Sequence, residues 1–298
     1  MKWLDSAFVA SQHVTPHHTV SRLVGSLADS RIPHVKDAAI RWFIDRYQVD
    51  MSEALYARPE DYATFNEFFT RPLKPGARDL SPRPGALISP VDGAVSQCGR
   101  IEHGRIFQAK GHSFSLIELL GNQLDAAKNY IHGHFATIYL SPRDYHRIHM
   151  PLDGSLKRMT YVPGRLFSVN PATTARVPGL FARNERVVCE FDTEIGPFTL
   201  ILVGAMIVAS IETVWAGRVA PRSGGVETQT YAEGALTLKQ GEEMGRFCLG
   251  STVIMLAPPD TIRWEEHFKA DAPVRLGETI AQIQARAQSK ASTSASEA

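Results

Sequence analysis

The sequence predicts an α+β fold, with N-terminal amphipathic helices set on a mainly antiparallel β domain. Two observations carry this. Over the first seventy or so residues, apolar side chains recur at i, i+3, i+4, i+7, the spacing of one helix face. From about Leu80 the texture changes to short β-rich runs separated by Gly and Pro, the punctuation of strands and turns. The predicted organisation is a helical, membrane-associating region over 1–75, a β-rich catalytic domain over 76–285, and a flexible tail over 286–298. That tail is rich in Ala, Ser, Lys, Thr and Gln and has no apolar period.

Val20, Leu23, Val24 and Leu27 mark one helix, and Ile40, Phe43, Ile44 and Tyr47 a second. Thr64-Phe65-Asn66-Glu67 is a capping-box pattern that starts a third, short helix through Phe68 and Phe69, closed by Pro72 and Pro75. Up to Arg46 there are six Lys/Arg against four Asp, with His13, His17, His18 and His34 nearby. Apolar stripes with basic flanks suit a helix lying in a membrane interface, but most amphipathic helices instead pack such a stripe on the protein's own core, and that reading is the favoured one for the stripes themselves. Strands are predicted at Phe135 to Leu140, Leu156 to Val162, Val187 to Phe191, Leu200 to Val208 and Thr252 to Leu256.

Composition narrows the function classes. The balance of 44% hydrophobic and 21% charged residues is that of an ordinary globular chain. A net charge of +1 supplies no global field for nucleic acid. Cys98, Cys189 and Cys248 lie far apart, which argues against a disulfide framework or a cysteine zinc site and fits a reduced compartment. Lys2 and Asp5 interrupt any signal-peptide core. The longest apolar run, Phe198 to Ile211, is shorter than the roughly 18–20 residues a spanning helix needs and reads as buried strands.

Three segments could carry chemistry. Ser89-Pro90-Val91-Asp92-Gly93 places an Asp in a turn pair at a strand end, where it is either catalytic or a turn former. In Ser141 to Pro151, Ser141 suits an N-cap and Pro142 a first helical position, which predicts a helix of about two turns with His146 and His149 on one face. Two such imidazoles are acid/base groups, metal ligands, or structural. His132-Gly133-His134 invites a zinc reading, but no H-E-x-x-H accompanies it, and no metal is expected. In Arg246 to Ile254, Ser251 lacks the flanking glycines of a hydrolase elbow, since Leu249 and Val253 occupy those places. Cys248 reads as a buried apolar residue.

Leu249-Gly250-Ser251-Thr252 resembles the self-cleavage site of the pyruvoyl-dependent phosphatidylserine decarboxylases. The resemblance runs along nearly the whole chain. It takes in Thr64 to Leu73, Gln108 to His112, Ser141 to Pro151, Tyr161 to Gly164, Leu166 to Asn170, Phe181 to Arg186, Ile211 to Trp215 and Met244 to Thr252. It implies a barrel-sandwich β domain related to lipoyl-type folds. It also implies decarboxylation of phosphatidylserine to phosphatidylethanolamine through a Schiff base with a pyruvoyl group made from Ser251.

By that resemblance Ser251 attacks the Gly250 carbonyl, His149 is the base that activates it, and Asp92 orients His149. His146 is the expected proton donor or the ligand of the substrate carboxylate. Residues 1–250 and 251–298 then form a non-covalent heterodimer, with Thr252 to Leu256 kept as a strand in the larger chain's sheet. The implied partners are phosphatidylserine and an anionic membrane surface, on the cytoplasmic side of the cell membrane, with peripheral attachment. Two other classes remain in view: a pyruvoyl decarboxylase of a soluble amino acid, which needs no amphipathic helices, and a lipoyl-type carrier, which needs an exposed hairpin-tip Lys flanked by acidic residues, a motif this sequence lacks.

Overall fold

The computed structural model describes residues 12, 24–206, 210–221, 224–248 and 251–284. Val20, Leu23, Leu249 and Gly250, and the predicted tail, lie outside the described residues.

Helix Pro33–Tyr47 begins on a proline at its first position and ends at Gln48, whose left-handed backbone (φ 54°) lets its N–H cap the Ile44 carbonyl. The stripe faces the protein, the favoured of the two readings, rather than a membrane. Ile40 and Phe43 are buried with Val49, Tyr62, Phe68 and Phe69, and Ile44 and Tyr47 pack against the same cluster. Aromatic residues Phe65, Phe68 and Phe69 supply enough apolar surface to claim that face, so core packing wins over the interface. Phe65–Phe69 is the short helix the capping box predicts: the Glu67 N–H donates to Thr64 Oγ1 at 3.0 Å, and the Glu67 carboxylate accepts from the Ala63 N–H.

The rest is β-rich, and every pairing between its strands is antiparallel. The largest sheet has nine strands and does not close on itself, so no barrel forms among the described residues. Its central strand, Ser251–Ala257, lies between His134–Leu140 and Gly196–Val203. That strand is buried along its whole length. Val253 and Met255 enter one apolar cluster, and Ile254 and Leu256 enter another. A strand with a core on each face needs a continuous apolar run, which is what Val253-Ile254-Met255-Leu256 supplies. The run from Phe198 breaks into strand Gly196–Val203 and the separate strand Ile211–Thr213.

The expected helix over Ser141 to Pro151 does not form. Ser141 N–H and Oγ–H both donate to Asp144 Oδ2, at 2.6 and 2.7 Å, closing a tight turn where helix would start. Arg147–His149 is then taken up as a strand by Glu243–Phe247. His146 and His149 therefore do not share a helix face.

Candidate active site

Pairing register brings the three sequence segments together at one end of the large sheet's interior strands, where a second, four-stranded sheet meets them. Leu140 pairs with Ser251 on one side, and its neighbour Tyr139 pairs with Ala94, two residues after Asp92, on the other. The Pro90 carbonyl accepts from the His149 N–H at 2.9 Å, and the His146 carbonyl from the Phe247 N–H at 3.0 Å. Gly93 is required at this crossing, because a Cβ there would lie 2.3 Å from the Tyr139 carbonyl oxygen.

Ser251 is fully buried at the first position of its strand, and its Oγ has no hydrogen-bond partner among the described residues. His149 is buried with Nδ1 at 2.7 Å from the Gly241 carbonyl and Nε2 at 3.0 Å from the Tyr145 hydroxyl. A carbonyl only accepts, so Nδ1 carries the proton, and Nε2 accepts from Tyr145. Burial lowers the His149 pKa, which favours the neutral imidazole and leaves Nε2 unprotonated, able to accept a proton. Gly241 reaches this position with a left-handed backbone, φ 84°.

His146 is fully buried beside the Phe69 ring, with centroids 4.1 Å apart. Its Nδ1–H donates to the Asp144 carbonyl at 2.8 Å, and Nε2 has no partner among the described residues. Burial pushes its pKa down to about 3, so it too is neutral at physiological pH, with a free acceptor nitrogen.

Asp92 makes no hydrogen bond to His149. Its carboxylate is held by Arg78 through two contacts of 3.0 and 2.5 Å, and by the Leu276 N–H at 2.8 Å. It reaches His149 through charge, favouring the protonated imidazole. No hydrogen bond joins Ser251, His149 and Asp92 directly. The register gathers their segments, and each side chain rests on a different partner.

Beside them opens a cavity of about 320 Å³, lined by Gln48, Arg71, Asp92, Arg143 and Tyr145 among others. Arg71 is buried and cationic, giving Nη2 to the Arg143 carbonyl at 2.8 Å, while its Nε and Nη1 have no hydrogen-bond partner among the described residues. Leaving such donors unpaired costs about 1–3 kcal/mol each, and functional sites are where that cost recurs. Tyr145, Arg78 and Arg71 were not among the expected site residues. Tyr145 and Arg71 sit inside the segments that carry the family resemblance, and that was their only signal. An arginine before a proline otherwise reads as surface.

Comparison with known proteins shows the family. The family model described as phosphatidylserine decarboxylase matches residues 65–282, and a second, described as PSD, matches residues 7–48. The phosphatidylserine decarboxylase proenzyme of Hahella chejuensis is 62% identical over 283 residues, covering 95% of this chain and 96% of that one. Those of Stutzerimonas stutzeri and Bordetella pertussis are 58% and 59% identical over 281 and 284 residues, covering 93% and 94% of this chain and 95% and 96% of theirs. Similarity of that extent spans every strand that builds the site, and the chain belongs to the phosphatidylserine decarboxylase family.

Proposed function

We propose that the protein decarboxylates phosphatidylserine to phosphatidylethanolamine, after cleaving itself between Gly250 and Ser251. The observation that carries this reading is Ser251 itself. A serine buried at the head of a central strand, whose hydroxyl finds no partner among the described residues, puts that hydroxyl to no visible structural use. Its strand partner leads straight into the segment bearing His149, whose unprotonated Nε2 can accept a proton.

In cleavage His149 Nε2 takes the Ser251 proton once the Tyr145 hydroxyl turns away from it. Ser251 Oγ attacks the Gly250 carbonyl, and the amide becomes an ester with the Ser251 nitrogen released as an amine. β-Elimination frees the Gly250 carboxylate and leaves a dehydroalanine, which takes up water, loses ammonia and becomes a pyruvoyl group. The buried strand start fits a small ketone of this kind, since Ser251 needs no wider space than its own side chain occupies. The pyruvoyl carbonyl supplies an electron sink for the α-carbon as CO₂ leaves. Asp92 acts on His149 through its field, and Arg78 and Leu276 hold it in place.

His146 carries a proton in turnover. Its resting form accepts at Nε2, so it must first take a proton before it returns one to the α-carbon. A neutral acceptor is a poor ligand for a carboxylate, and this favours the proton-carrier role. The two products of cleavage stay together as a heterodimer, because strand Ser251–Ala257 is paired on both edges by the larger chain.

Attachment to an anionic membrane surface is peripheral. Among the described residues no helix is long and apolar enough to cross a bilayer. Ile32, Val35 and Trp42 are exposed, Trp42 by 61%, beside the exposed Arg31, His34 and Arg46. Trp at a lipid–water boundary with basic neighbours is the pattern of an interfacial contact. Trp42 lies six residues before Gln48, about 9 Å along the helix axis, and Gln48 lines the cavity. A helix resting on the headgroups therefore leads to the cavity mouth.

The experiment is a denaturing gel with intact mass measurement. Wild type should give fragments 1–250 and 251–298, the smaller blocked by a pyruvoyl group, and Ser251→Ala a single chain. An intact wild-type chain that decarboxylates phosphatidylserine would overturn the mechanism.

A further inference from the structure

Charges around the 320 Å³ cavity pair off unevenly. Arg78 is taken by Asp92 and Glu53, and Arg275 by Glu53. Of the other carboxylates on the wall, Asp144 accepts from Ser141, and Asp50 accepts from the Ser52 N–H. Two arginines lining the cavity have no carboxylate partner among the described residues. One is Arg71, buried, with Nε and Nη1 free of any hydrogen bond. The other is Arg143, exposed, whose side chain makes no hydrogen bond or ion pair among the described residues. They are tied together, since Arg71 Nη2 donates to the Arg143 carbonyl at 2.8 Å and reaches the Asp144 carbonyl at 3.3 Å. A fixed, buried guanidinium beside an exposed one is the donor set that grips oxyanions, which take parallel N–H bonds from a planar fork.

We propose that Arg71 and Arg143 form an oxyanion-binding site that seats the substrate headgroup in this cavity. Arg71 fixes the oxyanion from within, and Arg143 draws it in from the mouth. The same wall carries Asp92 and Tyr145, so a headgroup held here lies against the residues that serve His149. This rests on the headgroup reading above. A serine phospholipid offers two oxyanions of this chemistry, the phosphodiester and the carboxylate.

Two soluble probes without an amine separate them: glycerophosphoglycerol carries only the phosphodiester, and N-acetylserine only the carboxylate. Their affinities are measured by ligand-observed NMR on the full chain, for wild type, Arg71→Lys and Arg143→Gln, with self-cleavage followed on a gel to show correct folding. Each variant should weaken one probe by about ten- to a hundredfold and leave the other unchanged. Loss of glycerophosphoglycerol assigns the site to the phosphodiester, and loss of N-acetylserine to the carboxylate. Arg143 is exposed, so its variant folds even if Arg71→Lys does not. Unchanged affinity for both probes in a self-cleaving Arg143→Gln chain, or binding of neither probe to wild type, overturns the proposal. Neither probe can condense with a ketone, so failure of the pyruvoyl chemistry would show on the gel and leave this result standing.

Discussion

The buried, neutral His146 makes the fold acid-sensitive in a defined window. Its folded pKa of about 3 lies below the ordinary value of 6.5. The unfolded chain therefore binds one more proton than the folded chain between those values. Stability is full above pH ~6.5 and is lost as pH falls towards 3. At pH 5, about 1.5 units below the unfolded value, His146 alone removes about 2 kcal/mol. His149 acts in the same direction, because burial lowers its pKa as well. To isolate His146, the single chain is fixed by Ser251→Ala and compared with the same chain carrying His146→Asn, which keeps an N–H for the Asp144 carbonyl but does not titrate. Urea unfolding at pH 7 and pH 5 then gives two differences in stability. The chain that keeps His146 should lose about 2 kcal/mol more than the His146→Asn chain. Equal losses in both would show that His146 is hydrated or charged in the folded state, and the reading of it as a buried neutral acceptor would fall.

Other consequences can be checked with single substitutions. His149→Ala should leave uncleaved precursor on a gel, whereas Tyr145→Phe, which frees Nε2, should cleave at least as fast as wild type. Gly241→Ala places a Cβ at φ 84° and 3.1 Å from the Leu80 carbonyl oxygen, so cleavage should slow as the carbonyl that fixes the His149 tautomer moves. Phe43→Glu buries a charge among aromatic rings and should cost more than ~3 kcal/mol in thermal or urea unfolding. Trp42→Glu should leave stability within about 0.5 kcal/mol while sharply reducing sedimentation with anionic vesicles.

What was legible in the sequence followed local rules. The capping box at Thr64 and the strand runs at Phe135, Leu156, Val187 and Thr252 depend on residues close in the chain and formed, whereas the run from Leu200, expected to reach Val208, ends as a strand at Val203. The segment Ser141 to Pro151 was misread because two local signals coincide in Ser-Pro. A serine followed by proline opens a helix or a turn, and the Asp144 carboxylate decides for the turn. The decision is then sealed by Glu243–Phe247, almost a hundred residues away, which no local pattern announces. The helix stripe at Ile40 and Phe43 failed as a membrane signal for a related reason. Periodicity reports that a face is apolar and says nothing about whether lipid or Phe68 covers it.

The same packing explains why the N-terminal region belongs to the site. The Thr70 carbonyl accepts from Arg147 Nε at 2.8 Å, beside the Arg147–Glu243 ion pair. Phe69 forms the wall of the His146 pocket, and its burial is what keeps that imidazole neutral. Glu53 holds Arg78, which holds Asp92. Each of these contacts needs the Phe43 cluster to fix the turn of chain between Gln48 and Arg71. The apolar stripe therefore acts on the chemistry at one remove: it anchors the side of the cavity that carries Arg71 and sets the dielectric around His146. Separating the roles of the helix requires changing its two faces independently. Phe43 substitutions should disturb cleavage and the titration of His146, and Trp42 substitutions should disturb neither.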